Sequence, residues 1–271
     1  MARFGKNKFY ARKRSILRRF IFHTLGDDFI GATIRFFHFK RALRNVHFRL
    51  ALDAGCGTGD FAFYIAERYY QSKVDAYDIS ENSISEDDRV KKVMGINNIN
   101  FYRRDILRMK DKLKYDFIFS MVSILYFTDR QNKIILKNIY NALEEGGFFY
   151  LDLPTVTFNN FHIIPKRYYN KWSRHTFDQL PGHLYSSEKL KSILKSLGFE
   201  VIYLRNSFGY AGMLAWEIDA IIKEHNLDRL KIILLPALKT LAWLDYLLKN
   251  KNGSCVCILC KKPSLQNLRV P

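Results

Sequence analysis

From Leu50 onward, short apolar runs alternate with stretches in which apolar residues return every third or fourth position. The runs predict β-strands over 49–54, 73–79, 99–103, 115–121, 147–153, 199–205 and 254–260, and the periodic stretches predict helices over 60–70, 84–93, 130–143 and 187–197. Alternation of this kind predicts an α/β fold, a parallel sheet covered on both faces. Ahead of it, residues 7–45 predict two helices divided near Gly26-Asp27-Asp28, where an acid can cap the second. Two segments break the alternation. Residues 154–186 are rich in aromatic and basic side chains, and residues 206–253 hold two further helices before the last strand. The chain thus divides into a basic helical cover, 1–45, and a main domain, 46–271, with insertions at 154–186 and 206–253. Long insertions at the carboxyl ends of strands lie where open α/β sheets bind ligands.

Composition changes the picture mainly through charge. The 271 residues carry 44 Lys+Arg against 26 Asp+Glu, a net +18, and the first fifty hold 13 basic and 2 acidic side chains. So front-loaded a charge favours an anionic surface, nucleic acid or acidic lipid. ARKRSILRRFIF at 11–22 places Ile16, Leu17, Phe20 and Ile21 on one helical side with Arg and Lys around them. Such a helix suits a membrane surface, and it equally suits a lid over a binding site. The segment LKIILLPALKTLAWLDYLL is apolar around most of its circumference, but Pro236, Lys239 and Asp245 interrupt it and no transmembrane span is expected. It reads as buried core, a lid or a membrane contact. The four cysteines, Cys56, Cys255, Cys257 and Cys260, form no pairing or metal-ligand pattern. CVCILC reads as a strand with thiols as small hydrophobes, and no metal is expected. A reducing cytoplasm is the expected compartment, with no secretory leader.

The chemistry concentrates at ALDAGCGTGDFAFYIA, 51–66, where Gly55, Gly57 and Gly59 separate a strand from a helix. A dinucleotide fingerprint needs G-x-G-x-x-G, yet Asp60 stands where its third glycine belongs, and Asp53 precedes the first. A pyrophosphate at this helix start would face two carboxylates, each costing several kcal/mol at ~4 Å in a low-dielectric pocket. A ligand carrying an ammonium and a sulfonium would be attracted instead.

D-A-G-C-G-T-G at 53–59, Cys56 included, resembles motif I of the class I S-adenosylmethionine-dependent methyltransferases, and the likeness runs through most of 49–205. The resemblance implies a Rossmann-like, seven-stranded, mostly parallel sheet whose last strand is antiparallel, with S-adenosyl-L-methionine as cofactor and S-adenosyl-L-homocysteine as product. In VDAYDIS it assigns Asp78 to the ribose hydroxyls, with Ile79 following. In FYRRDIL it assigns Asp105 to the adenine amine and Ile106 to the ring. In YDFIFSMVSILYF it puts the backbone around Ser120 and Met121 against the cofactor, and Tyr126 near the transferable methyl.

The acceptor is less legible. Of His162, His175 and His183 in the first insertion, His183 is the candidate base, because GHLYSSEKL leads back toward the cleft. Lys166, Arg167, Lys171 and Arg174 could hold an acceptor's phosphate or carboxylate. The Asn/Asp-Pro-Pro-aromatic run of base-amine methylases is replaced by SMVS, and no cysteine nucleophile stands at the fourth or fifth strand exit. Nucleic acid is then favoured only by net charge. The expectation is methyl transfer to a hydrophobic or lipid-linked acceptor, by a protein in peripheral contact with the cytoplasmic membrane face. The alternatives are a soluble small-metabolite methyltransferase and a cofactor-binding RNA-associated or scaffold protein.

Overall fold

The computed structural model describes residues 29–158, 161–169 and 183–264. The basic segment 11–22, the division near Gly26, His175, Lys171 and Arg174 lie outside the described residues.

Seven strands form one sheet: β1 (Leu50–Ala54), β2 (Lys73–Asp78), β3 (Ile99–Arg103), β4 (Tyr115–Met121), β5 (Leu143–Pro154), β6 (Glu200–Ser207) and β7 (Cys255–Lys261). Their order is β3-β2-β1-β4-β5-β7-β6. Strands β1 to β5 pair in parallel, and β7 runs antiparallel between β5 and β6. The order reverses beside β1, so the carboxyl ends of β1 and β4 flank the crevice where such sheets take ligands.

Between the strands lie α2 (Asp60–Arg68), α3 (Glu81–Met94), α4 (Asp129–Ala142) and α5 (Ser187–Ser196), close to the bounds expected from periodicity. Three of them start at a side-chain cap. Ser80 and Ser186 cap α3 and α5, and Thr128 with Gln131 forms a capping box on α4. The fifth strand starts four residues earlier than expected. Leu143 already pairs with Tyr115, and Gly146-Gly147 is a bulge within the strand, not its entrance.

A second helical layer rests on the sheet: α1 (Ile30–Ala42), α6 (Tyr210–Glu224) and α7 (Asp228–Leu247). The two helices expected in 206–253 are α6 and α7. Phe39 of α1 packs among Phe119, Tyr150 and Phe61, and Phe36 stacks on Phe61 at 4.2 Å. The cap of α1 differs from expectation. Its N-cap is Phe29, which makes no side-chain bond, and the Ile30 amide instead reaches Asp219 Oδ2, 3.5 Å away in α6. CVCILC is β7, with all three thiols buried in mid-sheet.

Candidate active site

The turn between β1 and α2 places glycine φ angles of +86° at Gly55, +52° at Gly57 and +70° at Gly59, a region that L side chains rarely adopt. The three glycines do different work. A Cβ at Gly55 would overlap the Ser123 side chain, and one at Gly59 would stand 2.8 Å from Asp87 Oδ2. A Cβ at Gly57 meets nothing within 4 Å, because this residue faces a cavity of about 450 Å³. That size is within the range of small-molecule sites.

Four acids line the cavity, Asp53, Asp60, Asp78 and Asp105. Asp78, at the end of β2, is held by two amides, Gly57 N–H on Oδ2 at 2.8 Å and Ser80 N–H on Oδ1 at 2.9 Å. Each oxygen keeps a lone pair for a further donor, as a vicinal diol requires. Asp105 Oδ1 accepts from the Leu107 amide at 2.9 Å, fixing the short turn that carries Ile106 onto the wall. Asp53 is 2% exposed, and its Oδ1 has no hydrogen-bond partner among the described residues. Burial first, then the Asp78, Asp87 and Asp60 carboxylates, push the Asp53 carboxyl well above the usual range. The two arginines on the wall do not offset this. Arg35 is paired with Asp152 at 3.1 Å, and Arg104 lies over the Tyr77 ring with Asp111 3.8 Å away. A buried, unpartnered carboxylate oxygen on an acidic wall fits an ammonium-bearing adenosyl ligand, and Gly57 leaves room for it.

Much of the remaining wall is apolar. Phe29, Ala32 and the charged Arg35 come from α1 and its cap, Phe61 from α2, and Val122, Tyr126 and Phe127 from the loop after β4. Val122 holds φ +63°, strained for a β-branched residue, while its amide donates to the Asp152 carbonyl at 2.9 Å. The Ser120 and Ser123 hydroxyls both donate to the Ala54 carbonyl, at 2.8 and 2.9 Å, tying this loop to the glycine turn.

The structure therefore brings Asp53, Gly55, Cys56, Gly57, Asp78, Ile79, Asp105, Ile106, Met121 and Tyr126 to one cavity. Gly59 and Ser120 stand behind the wall, where they shape the turn. His183 is exposed, with its amide on the Phe127 carbonyl at 3.1 Å and its ring against Tyr185, and it is not on the wall. Sequence reasoning missed the α1 residues. An arginine within the otherwise apolar IGATIRFF was the available signal.

A family model described as a methyltransferase domain matches residues 50–209. Malonyl-[acyl-carrier protein] O-methyltransferase 1 of Ilyobacter polytropus is 33% identical over 97 residues, 35% of this chain and 34% of the relative. The chain thus spans about a third of that relative's length. Among solved structures, the phospholethanolamine N-methyltransferase 2 of Haemonchus contortus, in complex with phosphomonomethylethanolamine and S-adenosylhomocysteine, superposes with a TM-score of 0.59. It is 20% identical, with 93% of this chain and 61% of that chain covered. The [4+2]-cyclase SpnF superposes at 0.58 with 18% identity, covering 85% of this chain and 81% of that one. These two likenesses show the fold, which hosts more than one chemistry.

Proposed function

Because the chain belongs to the class I S-adenosylmethionine-dependent methyltransferases, whose domain model spans more than half of it, we propose that it transfers a methyl group to a hydrophobic or lipid-linked acceptor at a membrane surface. S-adenosylmethionine, the cofactor of this family, supplies a methyl carbon on an already activated leaving group. What falls to the protein is alignment and exclusion of water. Asp78 would hold the ribose, Asp105 and Ile106 the adenine, and Asp53 the ammonium. The observation that carries the acceptor class is the apolar share of the cavity wall, formed by Phe29, Ala32, Phe61, Val122 and Phe127. Tyr126, half exposed on the cavity wall, offers a hydroxyl that can act on an incoming acceptor.

The test is incubation with methyl-labelled cofactor and a cell extract, followed by partition. Counts in the lipid fraction support the reading. Counts confined to the aqueous pool favour a soluble acceptor, for which the likeness to a malonyl-thioester methyltransferase speaks. Counts in RNA, or none with steep salt-dependent RNA affinity, would favour the nucleic-acid alternative.

A further inference from the structure

Helix α7 is turned inside out. Three of its charged side chains, Lys231, Lys239 and Asp245, are 7%, 6% and 0% exposed, whereas Ile233, Trp243 and Leu247, with Leu248 just past its end, are 74%, 48%, 51% and 54% exposed. The inward charges have partners in the helical layer. Lys231 meets Asp219 at 2.8 Å, Lys239 donates to Thr33 Oγ1 at 2.8 Å, and Asp245 accepts the Phe208, Gly209 and Gly212 amides. With its charges used to fasten α7 onto α6 and α1, the helix presents apolar side chains outward along its length.

We infer that this outer face of α7 is a docking surface for an anionic lipid bilayer, on which the helix lies in the interfacial plane. Two observations select that occupant. Between Arg229 and Lys251 every exposed charged residue is basic, namely Arg229, Lys249 and Lys251. Asp228 precedes Arg229 at the start of the helix, whereas the carboxyl end carries Lys249 and Lys251 alone, a basic flank that favours acidic headgroups. Trp243 also stands on the exposed face, and tryptophan suits the headgroup boundary. No described helix is long and apolar enough to cross a membrane, so the contact is interfacial. The inner side of the helix connects to the cavity wall. Asp219 receives both Lys231 from the first turn of α7 and the amide of Ile30, the residue after Phe29 on the cavity wall. In purpose this deepens the reading of a lipid-linked acceptor and rests on it, but docking is measured without methyl transfer.

The full chain is sedimented at low salt with phosphatidylcholine vesicles, with and without phosphatidylglycerol. Wild type is expected to pellet with the anionic vesicles and to show a fluorescence blue shift that Trp243→Phe removes. The double variant Ile233→Glu/Leu247→Glu changes exposed positions, so circular dichroism and S-adenosylhomocysteine affinity should be unchanged. Its vesicle affinity should fall at least about tenfold, as expected when two apolar side chains no longer enter the bilayer. The proposal is overturned if wild type ignores anionic vesicles. It is equally overturned if the double variant binds them as well as wild type, leaving the work to residues 1–28, or if that variant only converts a dimer to monomers. Labelled lipid formed in detergent micelles without vesicle docking would leave the methylation reading standing and sink this one.

Discussion

Arg35 Nε donates to Asp152 Oδ1 at 3.1 Å, joining the helical cover to the carboxyl end of β5 across 117 residues of sequence. Both side chains are nearly sealed from solvent, at 11% and 0% exposure, and Cys257 Sγ donates to the other carboxylate oxygen at 3.1 Å. Burial works against the Arg35 charge, and Asp152 beside it more than restores it. Arg35→Ala should therefore cost about 3–5 kcal/mol, since it strands a buried carboxylate. The pair replacement Arg35→Met/Asp152→Leu should cost much less. Urea denaturation of the two variants measures the difference, and equal losses would deny the pair its part in fastening α1.

The glycine turn makes a sharper prediction. Gly57→Val puts a branched side chain at φ +52° and into the cavity, so S-adenosylhomocysteine binding should vanish in calorimetry. Asp78→Ala should weaken it by about 1–3 kcal/mol, the range for charge-assisted hydrogen bonds. Two variants that bind normally would place the ligand elsewhere.

Asp53 links binding to protons. Its folded pKa lies well above the ordinary 3.8, so between those values the ligand-free fold holds a proton that the unfolded chain has lost. Stability contributed by the protonated carboxyl is then lost as pH rises through the window. An ammonium group at Oδ1 reverses the preference, and binding in that window should release a proton. Calorimetry in two buffers of different ionisation enthalpy should detect the release in wild type and not in Asp53→Asn.

His38 runs the other way. It is 1% exposed, with Nδ1 3.2 Å from the Tyr203 hydroxyl. Burial, then Arg205 and Arg41, lower its pKa from 6.5 to about 4. The fold keeps it neutral, so its stability is complete above pH 6.5 and is lost as pH falls toward 4. Each pH unit in that window removes about 1.4 kcal/mol, or ~2 kcal/mol between pH 7 and pH 5. His38→Gln keeps a polar partner for Tyr203 and should flatten the slope in denaturation at the two pH values. An unchanged slope would assign the acid sensitivity to another group.

Much of this was legible before any coordinates. Each strand and each sheet-flanking helix announced itself by period, and the spacing of Asp53, Asp78 and Asp105 put three acids at successive strand ends, now on one cavity wall. What stayed hidden depends on contacts far apart in sequence. Nothing local tells that Gly57 faces space while Gly55 and Gly59 face Ser123 and Asp87. His183 lies near the site through its backbone, bonded to Phe127, and sequence proximity to the cleft could not tell that from a ring pointing inward. The helix-wide apolarity of α7 concealed which face was buried. Charge normally marks the wet side of a helix, and here it marks the dry one.

The three thiols of β7 have a consequence of their own. Burial pushes Cys255 and Cys260 up to about 12 and holds Cys257 well above the ordinary thiol range, so almost none of them is thiolate at neutral pH. Because strand side chains stand off the sheet faces, an alkylating reagent can reach them only when the layers packed over β7 lift away. Their labelling rates are thus built-in clocks for how often those layers open, and bound ligand should slow them.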